Sequence, residues 1–330
     1  MAASVRSRLL NQSRATQYSY NDLLDRYTRE RFLYRLSQSE LAQQYILKGA
    51  SVFQVWLGNP HRNTRDIDLL GFGSNDPKTI EKVFTEVCRQ DCNDGIKFTT
   101  VESSVLQAGQ KHEGVRLNVE GLMGTAKLFL QVDVGYGHAV TPPAQVEQIP
   151  TLLDLPSPSL KVYPKETVVA EKFQAICDRG LQNSRVKDYF DLYYLQRSFE
   201  FDGQQLKQAI KATFDQRQTS LDMSELPIGL TEEFVNSNRS RENQWRKIVK
   251  QSTTVDFPSL RASIRVIANF IMPVARATSE SRPFHQCYSP RVGWEQTRVN
   301  FKDYEGRMQE IYPLPEQIDK PKKANNPELE

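Results

Sequence analysis

Apolar and polar positions alternate with different periods along the chain. Between positions 20 and 36, Leu23, Leu24, Tyr27, Phe32 and Leu36 recur among charges at roughly helical spacing, which predicts an amphipathic helix. A short apolar run, Tyr45-Ile46-Leu47, leads into Lys48-Gly49, and a helical pattern resumes over 50–57, so Gly49 marks a turn into a helix. After the loop Gly58-Asn59-Pro60, the run Asp66-Ile67-Asp68-Leu69-Leu70 reads as a strand with Ile67 and Leu69 facing the core. Residues 77–88 fit a further helix, with Asp76 as N-cap and Pro77 in the first helical position. Val115, Leu117 and Val119, then Leu128, Leu130, Val132 and Val134, alternate with polar residues across a glycine-containing turn at 120–124, which predicts antiparallel strands.

Proline and short polar residues crowd 141–164, which reads as an extended linker. Beyond it the pattern turns helical over 166–179, 186–199, 203–214, 232–250 and 258–272. The predicted fold class is therefore α+β: a mixed-sheet core with an N-terminal helix over 1–160, and a mainly α-helical unit over 161–311. Residues 312–330, rich in Pro, Lys, Glu and Asn, are expected to be loosely held. A chain of 330 residues is also long enough to favour two units over one core.

Composition changes this picture little. Hydrophobic residues make up 38% and charged residues 25%, which excludes global disorder. No apolar run approaches the roughly 20 residues of a spanning helix, and no secretory signal opens the chain, so a cytoplasmic protein without a membrane partner is expected. Cys88, Cys92, Cys177 and Cys287 are too scattered for structural zinc and read as free thiols. The net charge of +3 is too small to diagnose nucleic-acid binding, although Arg239, Arg241, Arg246, Lys247 and Lys250 form a local basic stretch.

The chemistry concentrates in a few segments. Asp66 and Asp68, two residues apart on a strand, project from one face about 6–7 Å apart, close enough to share a cation such as Mg²⁺. Alone, the pair also fits an exposed strand end balanced by Arg62 and Arg65. Asp133 lies on the face of its strand opposite Leu130 and Val132, where an antiparallel neighbour would bring a third carboxylate to the cluster. Upstream, Lys48-Gly49-Ala50-Ser51 places a lysine and a glycine turn at a helix start, which favours phosphate. Lys172 sits at the border of the stripe Val169, Phe173 and Ile176, where it either snorkels to solvent or enters a cleft. Asp188 and Asp191 share a helix face with Leu192, and Asp188 is placed to orient Lys172 or an acceptor group.

These segments together resemble the AbiEii/AbiGii group of abortive-infection toxins, within the DNA-polymerase-β-like nucleotidyltransferases. The resemblance runs through Lys48-Gly49-Ala50-Ser51, Arg62-Asn63-Thr64-Arg65-Asp66-Ile67-Asp68-Leu69, Val132-Asp133-Val134-Gly135-Tyr136-Gly137, Tyr163-Pro164-Lys165-Glu166-Thr167, Ala170-Glu171-Lys172-Phe173, and 183–192. It implies transfer of a nucleoside monophosphate from an NTP, with Mg²⁺ or Mn²⁺ held by Asp66 and Asp68. It also implies that Lys48, Gly49, Ser51 and Arg65 bind the nucleotide, and that Lys172 and Asp188 complete the site with Asp133 as a third carboxylate. Ala50 departs from the Gly-Gly or Gly-Ser usual at this turn. The family implies the 3′ end of tRNA as acceptor and a cognate antitoxin as partner. Nucleotidylation of a protein or small molecule, or a non-catalytic NTP- or antitoxin-binding module, are the alternatives. Replacing Asp66 or Lys172 with alanine is expected to abolish transfer without unfolding the protein.

Overall fold

The computed structural model describes residues 1–106, 114–252 and 257–296. The first half of the chain runs α1 (Ala2–Ala15), α2 (Tyr20–Gln38), β1 (Tyr45–Lys48), α3 (Val52–Leu57), β2 (Ile67–Gly71), α4 (Pro77–Arg89), β3 (Lys97–Leu106), β4 (Gly114–Met123), β5 (Ala126–Gly135), β6 (Gln145–Gln148) and β7 (Ser159–Val162). Its strands form one mixed seven-stranded sheet in the order β3-β4-β5-β2-β1-β7-β6. Ile67, Leu69, Leu117, Val119, Leu130, Val132 and Val134 all point to one face and are buried there, with α2 and α4 packed on it. Their polar sequence neighbours therefore share the other face, and the site is built there.

Three expectations for this half need correction. β2 and β5 are parallel neighbours, not antiparallel ones, with Asp68 opposite Asp133. A β3-β4-β5 meander follows the α4 crossover and returns β5 alongside β2, so the third carboxylate still arrives on the same face. The proline-rich stretch before Pro164 is not a bare linker, because β6 and β7 lie within it and β7 pairs with β1 inside the sheet. Helix α2 is not simply amphipathic, since Arg26, Arg29, Glu30, Arg31 and Arg35 are buried alongside its apolar residues. Arg31 and Arg35 grip the buried Asp94 at 3.2 and 2.6 Å, and Glu30 accepts the Leu152 N–H at 2.7 Å. Arg31, Arg35 and Asp94 thus satisfy one another, whereas Arg26 Nε, Arg29 Nη1 and Glu30 Oε1 are buried without a hydrogen-bond partner among the described residues.

The N-cap on α4 forms as predicted: Asp76 accepts the Thr79 N–H at 2.8 Å, with Pro77 next to it.

The second half comprises α5 (Lys165–Arg179), α6 (Val186–Ser198), β8 (Phe201–Asp202), α7 (Gly203–Arg217), α8 (Glu232–Asn236), α9 (Ser240–Gln251), α10 (Leu260–Ser279), β9 (Gln286–Ser289) and β10 (Gly293–Gln296). Helices α5, α6, α7 and α10 pack on one another, and β8, β9 and β10 form a small antiparallel sheet that the apolar pattern did not announce. The single helix expected over 232–250 is two, divided near Ser237, because Arg241 folds back to donate to the Phe234 carbonyl and the Ser237 hydroxyl. The tail expected over 312–330 lies outside the described residues. Among the described residues, no helix is long and apolar enough to cross a membrane.

Candidate active site

Lys48 ends β1 directly across the antiparallel ladder from Asp68. The chain turns at Gly49 with φ of 71°, a region that side chains rarely adopt. A Cβ at Gly49 would stand 2.0 Å from Asp68 Oδ2. Glycine is therefore demanded twice, by the backbone and by the carboxylate pressed against it. Ala50 is not among the positive-φ residues, and its methyl is buried in the 3-10 turn Gly49–Ser51. The departure at Ala50 leaves the turn's geometry to Gly49.

Asp66 is exposed just before β2, and Asp68 is half-buried within it. Burial, opposed by Lys48 and reinforced by the neighbouring Asp133 and Asp66, pushes the Asp68 carboxyl up to about 6. Asp133 meets Arg116 of β4 in a two-pronged pair, with Nε and Nη2 each 2.8 Å from a carboxylate oxygen. Asp68 and Asp133 therefore lie on one face, with Asp66 just ahead of the strand, and Asp133 is already held by an arginine.

Opposite the strands, α5 and α6 supply a buried ion network. Lys172 Nζ lies 2.9 Å from Asp188 Oδ1 and 2.8 Å from Asp191 Oδ2. Asp191 also receives Arg62 through Nε at 2.7 Å and Nη2 at 2.9 Å, and its Oδ1 is 2.7 Å from His61 Nε2. Burial would raise the Asp191 carboxyl, but Arg62 and Lys172 hold it well below the usual carboxylate range. Burial lowers His61 to about 4 despite Asp191, so its imidazole is neutral at ordinary pH. Burial likewise opposes the charge on Lys172, and Asp188 and Asp191 overcome it. Lys172 is thus neither a snorkelling surface lysine nor a free charge. Its ammonium spends two of its three donors on the carboxylates and lines the cleft with the rest.

Reading the sequence missed a second cluster. Glu171, beside Lys172 on α5, lies 2.9 Å from His138 Nδ1 and accepts the Tyr163 hydroxyl at 3.2 Å. Lys48 Nζ is 3.0 Å from the same His138 nitrogen. Burial would raise Glu171, but Lys48, His138 and Arg217 hold it well below the usual carboxylate range. The Ala170-Glu171-Lys172-Phe173 motif contained Glu171, but only the fold shows that it approaches Lys48. Arg217, at the end of α7, lies beyond any recognisable motif.

Lys48, Gly49, Asp68, Glu171, Lys172 and Asp188, with Arg185 and Arg217, line a cleft of about 100 Å³. Ser51 lies in the turn beside it but not among the lining residues, and Arg65 is exposed in the loop before β2. Arg62 does not balance Asp66 and Asp68; it is committed to Asp191. On α9, Arg239, Arg246, Lys247 and Lys250 are exposed, whereas Arg241 is buried, its guanidinium 3.8 Å from the centre of the Phe234 ring.

The description "Nucleotidyl transferase AbiEii toxin, Type IV TA system" belongs to the family whose model matches residues 31–265, well over half the chain. The chain belongs to the AbiEii family. AbiEii membership makes it a nucleotidyltransferase of a type IV toxin–antitoxin system, with an NTP as substrate and an antitoxin as partner. No curated protein matches it. Two solved structures from Helicobacter pylori resemble it distantly. One is JHP933, at 12% identity and a TM-score of 0.41, covering 76% of this chain and 89% of that one. The other, described as a candidate nucleotidyltransferase, shows 15% identity and a TM-score of 0.43 over 80% of this chain and 97% of its own.

Proposed function

We propose that this AbiEii protein transfers a nucleoside monophosphate from an NTP to the 3′ end of tRNA, with a divalent cation, and so blocks translation. The observation that carries the reading is the seating of the Lys48-Gly49 turn against Asp68, facing the Lys172 network across one cleft.

The donor set fits a hard cation completed by substrate. Among the described residues, no group of three or more His, Cys, Asp or Glu side chains could hold a metal unaided. Magnesium commonly takes one or two carboxylates and fills its shell with phosphate oxygens and water, and Asp66 with Asp68 supplies that minimum. When bound there, the cation neutralises phosphate charge and stabilises the leaving pyrophosphate. Burial, reinforced by repulsion from Asp133 and Asp66, raises Asp68, and a cation held there would offset both.

The chain's own residues do the remaining work. Lys48 and Lys172 offset charge on the triphosphate, and Arg185 and Arg217 flank its approach. Asp188 orients Lys172. Asp133, pinned by Arg116 beside Asp68, accepts the proton of the attacking hydroxyl. That hydroxyl oxygen forms a bond to the α-phosphorus, and the bond from the α-phosphorus to the pyrophosphate oxygen breaks.

The testing experiment follows label from each α-labelled NTP, with Mg²⁺, into total tRNA and total protein. Wild type should label tRNA and Asp68→Ala should not; label in protein alone would replace the acceptor, and label in neither would remove the reading.

The raised Asp68 carboxyl gives a pH test. A proton on Asp68 competes with the cation, so Mn²⁺ or Mg²⁺ should raise Tm at pH 8, and the effect should fade as pH drops through about 6. Because folding raises this carboxyl above its ordinary value of 3.8, the metal-free fold loses stability as pH rises from about 3.8 to about 6 and loses no more above that. Equal metal-induced shifts at pH 5 and pH 8 in a thermal melt would count against Asp68 as a ligand.

A further inference from the structure

The sheet face that carries Asp68 continues past the cleft. Along β5, alternate residues Lys127, Phe129, Gln131 and Asp133 share this face, and the residues opposite them on β4 are Leu122, Glu120, Asn118 and Arg116. Among the described residues, no helix packs this side as α2 and α4 pack the other: Phe129 is 67% exposed, and Asn118, Glu120 and Lys127 are exposed too. A lone exposed phenylalanine means little by itself. Its position gives it meaning, because it stands four residues along one strand from Asp133, roughly 13 Å away.

The cleft has one closed side and one open side. Lys172, Asp188 and Glu171 wall the helical side of Asp68, where the triphosphate would lie. An acceptor must therefore approach over β5. It meets Asp133 with Arg116 first, then the amides of Gln131 and Asn118, then the Phe129 ring. Beyond the ring, Lys127 and the register-linked Lys97 of β3 are exposed cations, offset by the exposed Glu120 opposite Phe129 and Glu102 opposite Asn118, so this face would hold a strand by stacking and base-edge contacts and not by its phosphates. Amides that can bond base edges, followed by an exposed aromatic face, match the unpaired bases of a nucleic-acid strand. Exposed aromatics on an open sheet face stack unpaired bases in this way.

We propose that the open face of β4 and β5 is the acceptor platform, holding an unpaired RNA 3′ end with Gln131 and Asn118 at base edges and Phe129 stacked on a base. The proposal rests on the RNA-acceptor reading above and adds where that acceptor lies. A small-molecule acceptor would need no contact so far from Asp133.

Binding of a labelled single-stranded oligoribonucleotide of about eight nucleotides, read by fluorescence anisotropy, tests it on the full chain. Phe129→Ala should weaken binding roughly 5- to 100-fold, the range expected for one lost stacking contact. Phe129→Trp should restore binding, and the KM for NTP should be unchanged in both. Equal RNA binding by wild type and Phe129→Ala, with tRNA still labelled by both, overturns the platform and leaves the RNA reading intact. Label entering protein while no RNA binds overturns both.

Discussion

Gly49→Ala should lower nucleotidyl transfer by at least roughly 100-fold, the cost of displacing a reacting group by about 1 Å. The added methyl would have to occupy space 2.0 Å from Asp68 Oδ2, so either the turn or the carboxylate must move. The left-handed backbone at φ 71° adds strain of about 1–3 kcal/mol for any residue with a side chain. A modest fall in Tm should therefore accompany a large fall in rate. Measuring transfer well below the variant's Tm separates the two effects. Ala50→Gly provides the contrast: the same chemical step in reverse, one residue later, should leave the rate within about twofold, because position 50 does not set the turn. Comparable loss in both variants would show that the turn, and not the Gly49–Asp68 contact, is what the enzyme needs.

Lys172→Ala should cost both activity and stability, which revises the expectation that the fold would be untouched. Lys172 lies between Asp188 and Asp191, whose side chains are 3% and 0% exposed. Removing it leaves two buried carboxylates with only Arg185 and with Arg62 and His61, respectively, as partners. Breaking a buried pair from one side costs about 3–5 kcal/mol, and the surviving partners place this case near about 3. Calorimetry should show Tm lower by roughly 4–5 °C, and transfer should be lost even where the variant remains folded. An unchanged Tm would mean that the two aspartates accept protons or rearrange at little cost. Lys172→Ala with full activity would remove Lys172 from the site.

What the sequence showed and what it hid follow physical lines. The turn at Gly49, the strand through Ile67 and Asp68 and the Asp76 cap are local features, written in neighbouring residues, and the structure bears them out, although the strand begins one residue after Asp66. The carboxylate of Asp133 was placed on the correct face because strand alternation is also local. Its neighbour's direction was not legible, because that depends on how many strands intervene before the chain returns. β7 was hidden by the prolines around it, since four residues leave too short a pattern to read. Glu171 and His138 were missed for a different reason. They are 33 residues apart in sequence and meet only where the loop after β5 reaches α5. The same holds for Arg62, whose partner Asp191 lies 129 positions away and was invisible to any argument from spacing.

Asp191 has a consequence for how the molecule moves. His61 and Arg62 belong to the loop that leads into β2, Lys172 belongs to α5, and all three converge on one carboxylate of α6. That carboxylate works as a rivet through both layers of the protein. The two walls of the cleft cannot swing apart like the jaws of a hinge without first stripping a buried anion of its partners. Substrates must then thread into a fixed frame, and any closing movement is confined to loops and side chains at the mouth of the cleft.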